Sequence, residues 1–149
     1  YTLFLFGRAL EPIIGRWRFL ALYLISIVGG SIAVMWLSNP IKVVVGASGG
    51  AFGLMAAFLV ILRSIGANST TMAGVIAINL VFTFMNPSIS WEAHVGGLAL
   101  GAVVALLYSR TRDLKLQKLQ VLGLAGIVLA LALAGGIRAF MILGEYGLL

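Results

Sequence analysis

The chain has 149 residues, of which 62% are hydrophobic and only 9% charged, with a mean hydropathy of +1.14 and a net charge of +6. A soluble domain typically has about a quarter of its residues charged, so this composition excludes a soluble core and indicates a membrane protein. The absence of cysteine and the single histidine argue against disulfides and against metal sites. We therefore expect no metal site and no nucleic-acid partner, and attribute the basic charge to membrane topology.

Runs of uncharged residues, each ended by charges or turn-forming residues, predict an all-α fold, a polytopic transmembrane helical bundle. Residues 1–10 are apolar but shorter than the about 20 residues that cross a bilayer, so they predict part of a helix. A charged turn that contains Arg8, Glu11, Pro12, Arg16 and Arg18 is expected to follow. Five spans are then expected at about 19–37, 45–62, 71–85, 93–109 and 119–137, the last followed by Arg138 and Glu145. This pattern predicts one membrane-embedded domain over residues 1–149.

The basic residues predict the orientation of these spans. Eight of them fall on one side of the predicted bundle: Arg8, Arg16, Arg18, Arg63, Arg110, Arg112, Lys115 and Lys118. Lys42 and Arg138 fall on the other side. By the positive-inside rule the side with eight basic residues faces the cytoplasm. Ser48 and His94, each near the start of its helix, are then expected at the extracytoplasmic end and at similar depth.

Glycines surround Ser48 and follow His94 at regular spacing. The pairs are four residues apart: Gly46 with Gly50, Gly49 with Gly53, and Gly97 with Gly101. Glycine is unfavourable in a helix by roughly 1 kcal/mol relative to alanine, so close approach of two backbones is the better explanation for these rows. The spacing predicts that the helices carrying Ser48 and His94 pack closely. Taken singly, glycine rows are ordinarily packing, and a lone serine ordinarily bonds its own helix.

A serine and a histidine at the same depth, as expected for Ser48 and His94, suit nucleophilic acyl transfer. A serine hydroxyl needs a base within hydrogen-bond reach, and neutral imidazole is the usual one. The N–H groups of the first turn after Ser48 lack intrahelical partners and suit a developing oxyanion. Phe52 follows Ser48 by four residues, so its ring is expected to pack on His94. Glu92, the nearest carboxylate in sequence, is expected to lie on another face nearer the surface, and a Ser-His dyad is predicted.

These residues resemble the motifs of a known family. Gly46-Ala47-Ser48-Gly49 with Phe52-Gly53, and Ala93-His94 with Gly97 and Gly101, are similar to the GxSG and AHxxGxxxG motifs of rhomboid intramembrane serine proteases. Gly7 to Gly15 also resembles the family's loop after the second helix. The resemblance implies Ser48 as nucleophile, His94 as general base, and an oxyanion and substrate-binding site at Gly46 and Ser48. Phe52, Gly49, Gly97 and Gly101 would support that site.

The resemblance also implies a function and a location. Members cut within or beside transmembrane segments of substrate proteins in the bilayer, with no metal or cofactor, and a multi-pass protein of the bacterial plasma membrane is expected, its active site extracytoplasmic. The family's first helix and the HxxxN motif of its second helix are not found in this sequence. We therefore expect an amino-terminally truncated chain of reduced activity, with the last span as an additional seventh helix.

Two other classes remain open from the sequence. One is a non-proteolytic rhomboid-like protein that binds transmembrane clients, and the presence of both Ser48 and His94 argues against it. The other is a small channel or part of a transporter. No internal repeat and no array of charged residues within the spans supports that alternative.

Overall fold

A computed structural model describes residues 1–39 and 47–147. In these ranges the chain forms α-helices joined by short connections, and the predicted all-α bundle is confirmed. The helices are α1 (Thr2–Ile14), α2 (Arg16–Leu37), α3 (Ser48–Ser64), α4 (Thr70–Met85), α5 (Trp91–Arg110) and α6 (Gln117–Glu145), with a 3-10 turn at Leu114–Leu116. Among the described residues, α2, α5 and the segment Leu114–Glu145 are long and apolar enough to cross a bilayer, while α3 and α4 are shorter apolar helices.

The connection between α1 and α2 differs from the prediction. Of the residues expected in a charged turn, Arg8, Glu11 and Pro12 belong to α1, which ends at Ile14, and Arg16 and Arg18 belong to α2. Charged side chains do not by themselves end a helix, and the helix continues past Pro12 for only two residues, to Ile14. The turn is made by Gly15 alone, whose φ of 87° is readily adopted only by glycine. Arg16 and Glu11 form an exposed ion pair across this turn, at 3.4 Å.

The carboxyl end of α6 also differs from the prediction. The span was expected to finish at residue 137, but the helix continues to Glu145 and includes Arg138. The Arg138 side chain is tolerated inside the helix because both ends of its guanidinium have acceptors. Its Nε donates to the backbone oxygen of Met35 at 2.9 Å, and its NH1 lies 3.2 Å from a carboxylate oxygen of Glu145.

The core lies among α2, α3 and α5. These three helices pack against one another more extensively than any other pair, and α1, α4 and α6 lie around them. The fully buried apolar side chains are contributed by four helices and include Leu10, Leu22, Leu54 and Val104. Large apolar side chains on the outer surfaces of α4 and α6 are exposed, for example Phe82 and Leu129. Such an apolar outer surface is what a helix facing lipid requires.

Glycines determine how closely the three central helices approach. A Cβ atom on Gly97 of α5 would overlap the backbone of Gly49 on α3, and one on Gly101 would overlap that of Gly53. Because both residue numbers rise together from the first pair to the second, α3 and α5 run parallel and in contact. Their amino-terminal ends, which carry Ser48 and His94, therefore lie at the same end of the bundle.

A third helix takes part in this close packing, which the sequence did not predict. A Cβ atom on Gly30 of α2 would lie 2.7 Å from the carbonyl oxygen of Ala93, and one on Gly49 of α3 would lie 2.9 Å from the same oxygen. Both contacts are closer than real Cβ atoms show, so glycine is required at both positions. The backbone immediately before His94 is thus enclosed by glycines of two other helices.

Candidate active site

Ser48 is the first residue of α3. Its side chain is exposed, and Ala47 precedes it as the N-cap. The first helical backbone bond runs from the N–H of Ala51 to the carbonyl of Ala47, at 3.2 Å. The N–H groups of Ser48, Gly49 and Gly50 therefore have no partner within the helix and are directed toward its amino-terminal end. Gly46, expected in the oxyanion site, lies outside the described residues.

His94 lies in the first turn of α5, where the local sequence favours the start of a helix. Ser90 is the N-cap, and its side-chain oxygen accepts a hydrogen bond from the N–H of Ala93 at 3.3 Å. The same hydroxyl donates to Glu92 Oε2 at 2.8 Å. Glu92 was expected nearer the surface, but this capping arrangement holds its side chain buried at 5% exposure. His94 is buried as well, at 7% exposure.

The imidazole of His94 stacks on the ring of Phe52. The two ring centroids are 4.1 Å apart and the planes are inclined by 19°. Phe52 follows Ser48 by four residues, so both side chains project from the same face of α3, one turn apart. The stack therefore places His94 against the face of α3 that also carries Ser48, one turn away from it. No hydrogen bond joins Ser48 to His94, both of which the structure describes, and such bonds are often long before substrate binds.

The second partner of His94 is Thr83, which the sequence argument missed. Thr83 Oγ1 lies 2.7 Å from His94 Nδ1, and the same oxygen is 2.8 Å from the backbone carbonyl oxygen of Asn79, one turn earlier in α4. Thr83 is 3% exposed. Nothing in the sequence distinguishes it, because a threonine in an apolar helix usually bonds its own helix and no spacing rule links α4 to α5.

The structure thus brings together most of the residues predicted for the site. His94 contacts Phe52 of α3 and Thr83 of α4, while Gly49 and Gly97 hold α3 and α5 in backbone contact at the level of Ser48. Gly101 continues this contact one turn further along. The arrangement places a hydroxyl, an imidazole and N–H groups that have no partner within their helix at one end of three packed helices, and these are the groups that acyl transfer uses.

Apolar helices in a closely packed bundle, with this site at one end, define a helical membrane protein. A family model described as Rhomboid domain matches residues 1–111, about three quarters of the chain, and the chain belongs to the rhomboid family. The resemblance found from the motifs is thereby confirmed. The matched region ends one residue after α5, so α6 lies outside it.

Two relatives come from Bacillus subtilis (strain 168). The chain is 36% identical over 118 residues to "Putative rhomboid protease YdcA", with 75% of this chain and 59% of that protein covered. It is 37% identical over 107 residues to "Rhomboid protease GluP", with 66% of this chain and 20% of that protein covered. The chain thus spans less than two thirds of the length of either relative. No solved structure matches it significantly.

Proposed function

We propose that this chain carries the catalytic dyad of an intramembrane serine endopeptidase, with Ser48 as nucleophile and His94 as general base. The observation that carries the proposal is the stack of His94 on Phe52, one helical turn from Ser48 on the same face of α3. Both named relatives are called rhomboid proteases, which supports the same reaction class.

The proposed mechanism is acyl transfer with Ser48 as the nucleophile and His94 as the base. His94 Nε2 accepts the proton of Ser48 Oγ as this oxygen attacks the substrate carbonyl carbon. The resulting oxyanion accepts hydrogen bonds from N–H groups at the start of α3, among them that of Ser48. The imidazolium then returns the proton to the leaving amine and an acyl-enzyme forms. Water, deprotonated by the same imidazole, releases the second product.

The substrates that suit this site are transmembrane segments of other proteins. The site lies at one end of apolar helices whose outer surfaces face lipid, so a client segment reaches it from the bilayer rather than from bulk water. The opposite end carries Arg18 in the first turn of α2, Arg63 in the last turn of α3 and Arg112 just after α5. The positive-inside rule makes that end cytoplasmic, and we propose an extracytoplasmic active site in a bacterial plasma membrane.

The test uses a fluorophosphonate probe, which reacts with activated serines, on the purified chain in liposomes. Wild type is expected to be labelled and to cleave single-span substrate proteins. Ser48→Ala and His94→Ala are expected to lose both the labelling and the cleavage. A matched control is Ser31→Ala, because Ser31 is also an exposed helical serine but bonds the carbonyl of Ile27 in its own helix. Labelling that persists in Ser48→Ala would overturn the assignment. A folded wild type that stays unlabelled but still binds single-span proteins would favour binding of transmembrane clients without cleavage.

A further inference from the structure

The hydrogen bonds of Thr83 decide which nitrogen of His94 carries a proton. A threonine hydroxyl has one hydrogen to donate, while its oxygen accepts through two lone pairs. The carbonyl oxygen of Asn79, 2.8 Å away, only accepts, so the Thr83 hydrogen is directed to it. The remaining contact, 2.7 Å to His94 Nδ1, then requires a hydrogen on the nitrogen. Neutral imidazole with a proton on Nδ1 has its free lone pair on Nε2.

We propose that Thr83 is a positioning residue that holds His94 in the Nδ1–H tautomer and leaves Nε2 as the basic nitrogen for Ser48. The order of donation is His94 Nδ1–H to Thr83 Oγ1, and Thr83 Oγ1–H to the carbonyl of Asn79. The tautomer follows from these contacts alone. Its consequence for catalysis rests on the proposed function, because it requires that His94 act as the base.

The rest of the His94 environment agrees with this role. Phe52 covers one face of the imidazole and fixes the plane of the ring, but it offers no hydrogen-bond acceptor to either nitrogen. Rotation of the ring within that plane is restrained by the bond to Thr83, which is 3% exposed and therefore shielded from competing water. Together the two contacts determine both the orientation of the ring and the side on which its lone pair lies.

A hydroxyl suits this position better than a carboxylate would. In serine proteases with a buried aspartate, the carboxylate selects the tautomer and stabilises the imidazolium formed during the reaction. A charged carboxylate among apolar helices is costly to bury, whereas a threonine that is bonded to its own helix adds no charge. Thr83 therefore supplies the orienting acceptor in neutral form. Its loss is expected to slow the reaction about ten- to a hundredfold.

The first test reads the tautomer directly. The chain has one histidine, so labelling histidine with ¹⁵N gives signals from His94 alone in the 149-residue protein in liposomes. We expect a protonated, pyrrole-type Nδ1 and an unprotonated, pyridine-type Nε2. Thr83→Ser keeps the hydroxyl and is expected to keep this spectrum, while the nearly isosteric Thr83→Val is expected to lose the preference. A wild-type spectrum with the proton on Nε2 would overturn the proposal, regardless of the spectra of the two variants.

The second test measures the rate. Thr83→Val is expected to lower kcat and the rate of probe labelling about ten- to a hundredfold at unchanged KM, and Thr83→Ser to restore most of the loss. The matched control is Thr71→Val on the same helix, because Thr71 is exposed near the opposite end of α4, and its rate should equal that of wild type. A Thr83→Val rate equal to wild type would refute the positioning role. An unlabelled wild type with the expected tautomer would instead refute the proposed nucleophile and leave the tautomer assignment intact.

Discussion

The rings of Phe52 and His94 lie nearly parallel, with 4.1 Å between their centroids and 19° between their planes. Phe52 belongs to α3, which also carries Ser48, and His94 belongs to α5, so this contact joins the helix of the proposed nucleophile to that of the proposed base. Thr83 of α4 contacts the same imidazole, so a third helix takes part in holding it. The position of the base is therefore determined by packing among three helices and not by α5 alone.

The first prediction concerns the stack itself. Phe52→Leu keeps an apolar side chain but removes the flat surface on which the imidazole rests. An aromatic pair is worth about 0.5–1.5 kcal/mol, and if that amount is lost from the orientation of His94, kcat should fall about two- to tenfold. Cleavage rates of purified protein in liposomes measure the effect, with circular dichroism to verify that the helices are retained.

Phe58→Leu is the matched control for this prediction. Phe58 lies on the same helix and also has an aromatic partner, since its ring meets Phe6 edge to face with centroids 5.7 Å apart. That pair is six residues further along α3 from Phe52, so its loss should lower stability without changing kcat. An equal fall of kcat in both variants would mean that the rate responds to general loosening of α3.

The second prediction concerns the backbone contact between α3 and α5. In Gly97→Ala the added methyl group would overlap the carbonyl of Gly49, which adjoins Ser48, and the helices must separate. A misplacement of about 1 Å can cost on the order of a hundredfold in rate, and we expect a loss of that size although no reacting group is altered. Gly101→Ala should act in the same direction, because its methyl group would meet Gly53 one turn away.

Gly74→Ala provides the comparison. Gly74 lies in the middle of α4, and a Cβ atom there would meet nothing within 4 Å. The substitution should leave the rate unchanged and slightly stabilise the helix, since alanine favours a helix by about 1 kcal/mol over glycine. If Gly97→Ala cleaves as fast as Gly74→Ala, the rate does not depend on close contact of α3 and α5.

Much of this arrangement was accessible from the sequence because it depends on local spacing. Uncharged runs located the helices, and glycines four residues apart indicated that α3 and α5 approach closely. The relation of Phe52 to Ser48 is likewise local, since residues four apart share a helix face. These features require no knowledge of which other helices lie alongside.

Features that depend on the partner helix were missed. Thr83 contacts His94 only because α4 lies beside α5, and Gly30 meets Ala93 only because α2 lies on the other side. Arg138 was expected to end the last span, since a charge inside an apolar helix is costly when its partners are unknown. Its acceptors are supplied by α2 and by Glu145, and the helix continues.

A third prediction follows from that arginine. Arg138→Met keeps a long side chain but leaves the carbonyl of Met35, in the last turn of α2, without its donor. Hydrogen bonds to charged groups contribute about 1.5–3 kcal/mol to stability, so the free energy of unfolding should fall by roughly that amount. Reversible unfolding in mixed micelles measures it. Arg110→Met serves as control because Arg110 is exposed at the end of α5, and a decrease in stability as large as that of Arg138→Met would contradict the prediction.

The last prediction separates stability from catalysis at the opposite end of the bundle. Gln120 of α6 is buried at 4% exposure; its Oε1 accepts from Arg18 Nε at 2.7 Å, and its Nε2 donates to Thr111 Oγ1 at 2.6 Å. Gln120→Leu preserves the volume but leaves these partners unsatisfied, which should cost about 1–3 kcal/mol of the free energy of unfolding.

The rate of Gln120→Leu should nevertheless equal that of wild type. Thr111 follows His94 by 17 residues along α5, a distance of roughly 25 Å at 1.5 Å per residue, so the network cannot touch the reacting groups. Gln117→Leu, three residues earlier and only partly buried, is the control for introducing leucine at the start of α6. Stability and kcat are to be measured on the same preparations. A fall in kcat of Gln120→Leu without a lower unfolding midpoint would show that α6 acts on the site at a distance, and the separation of the two ends would be wrong.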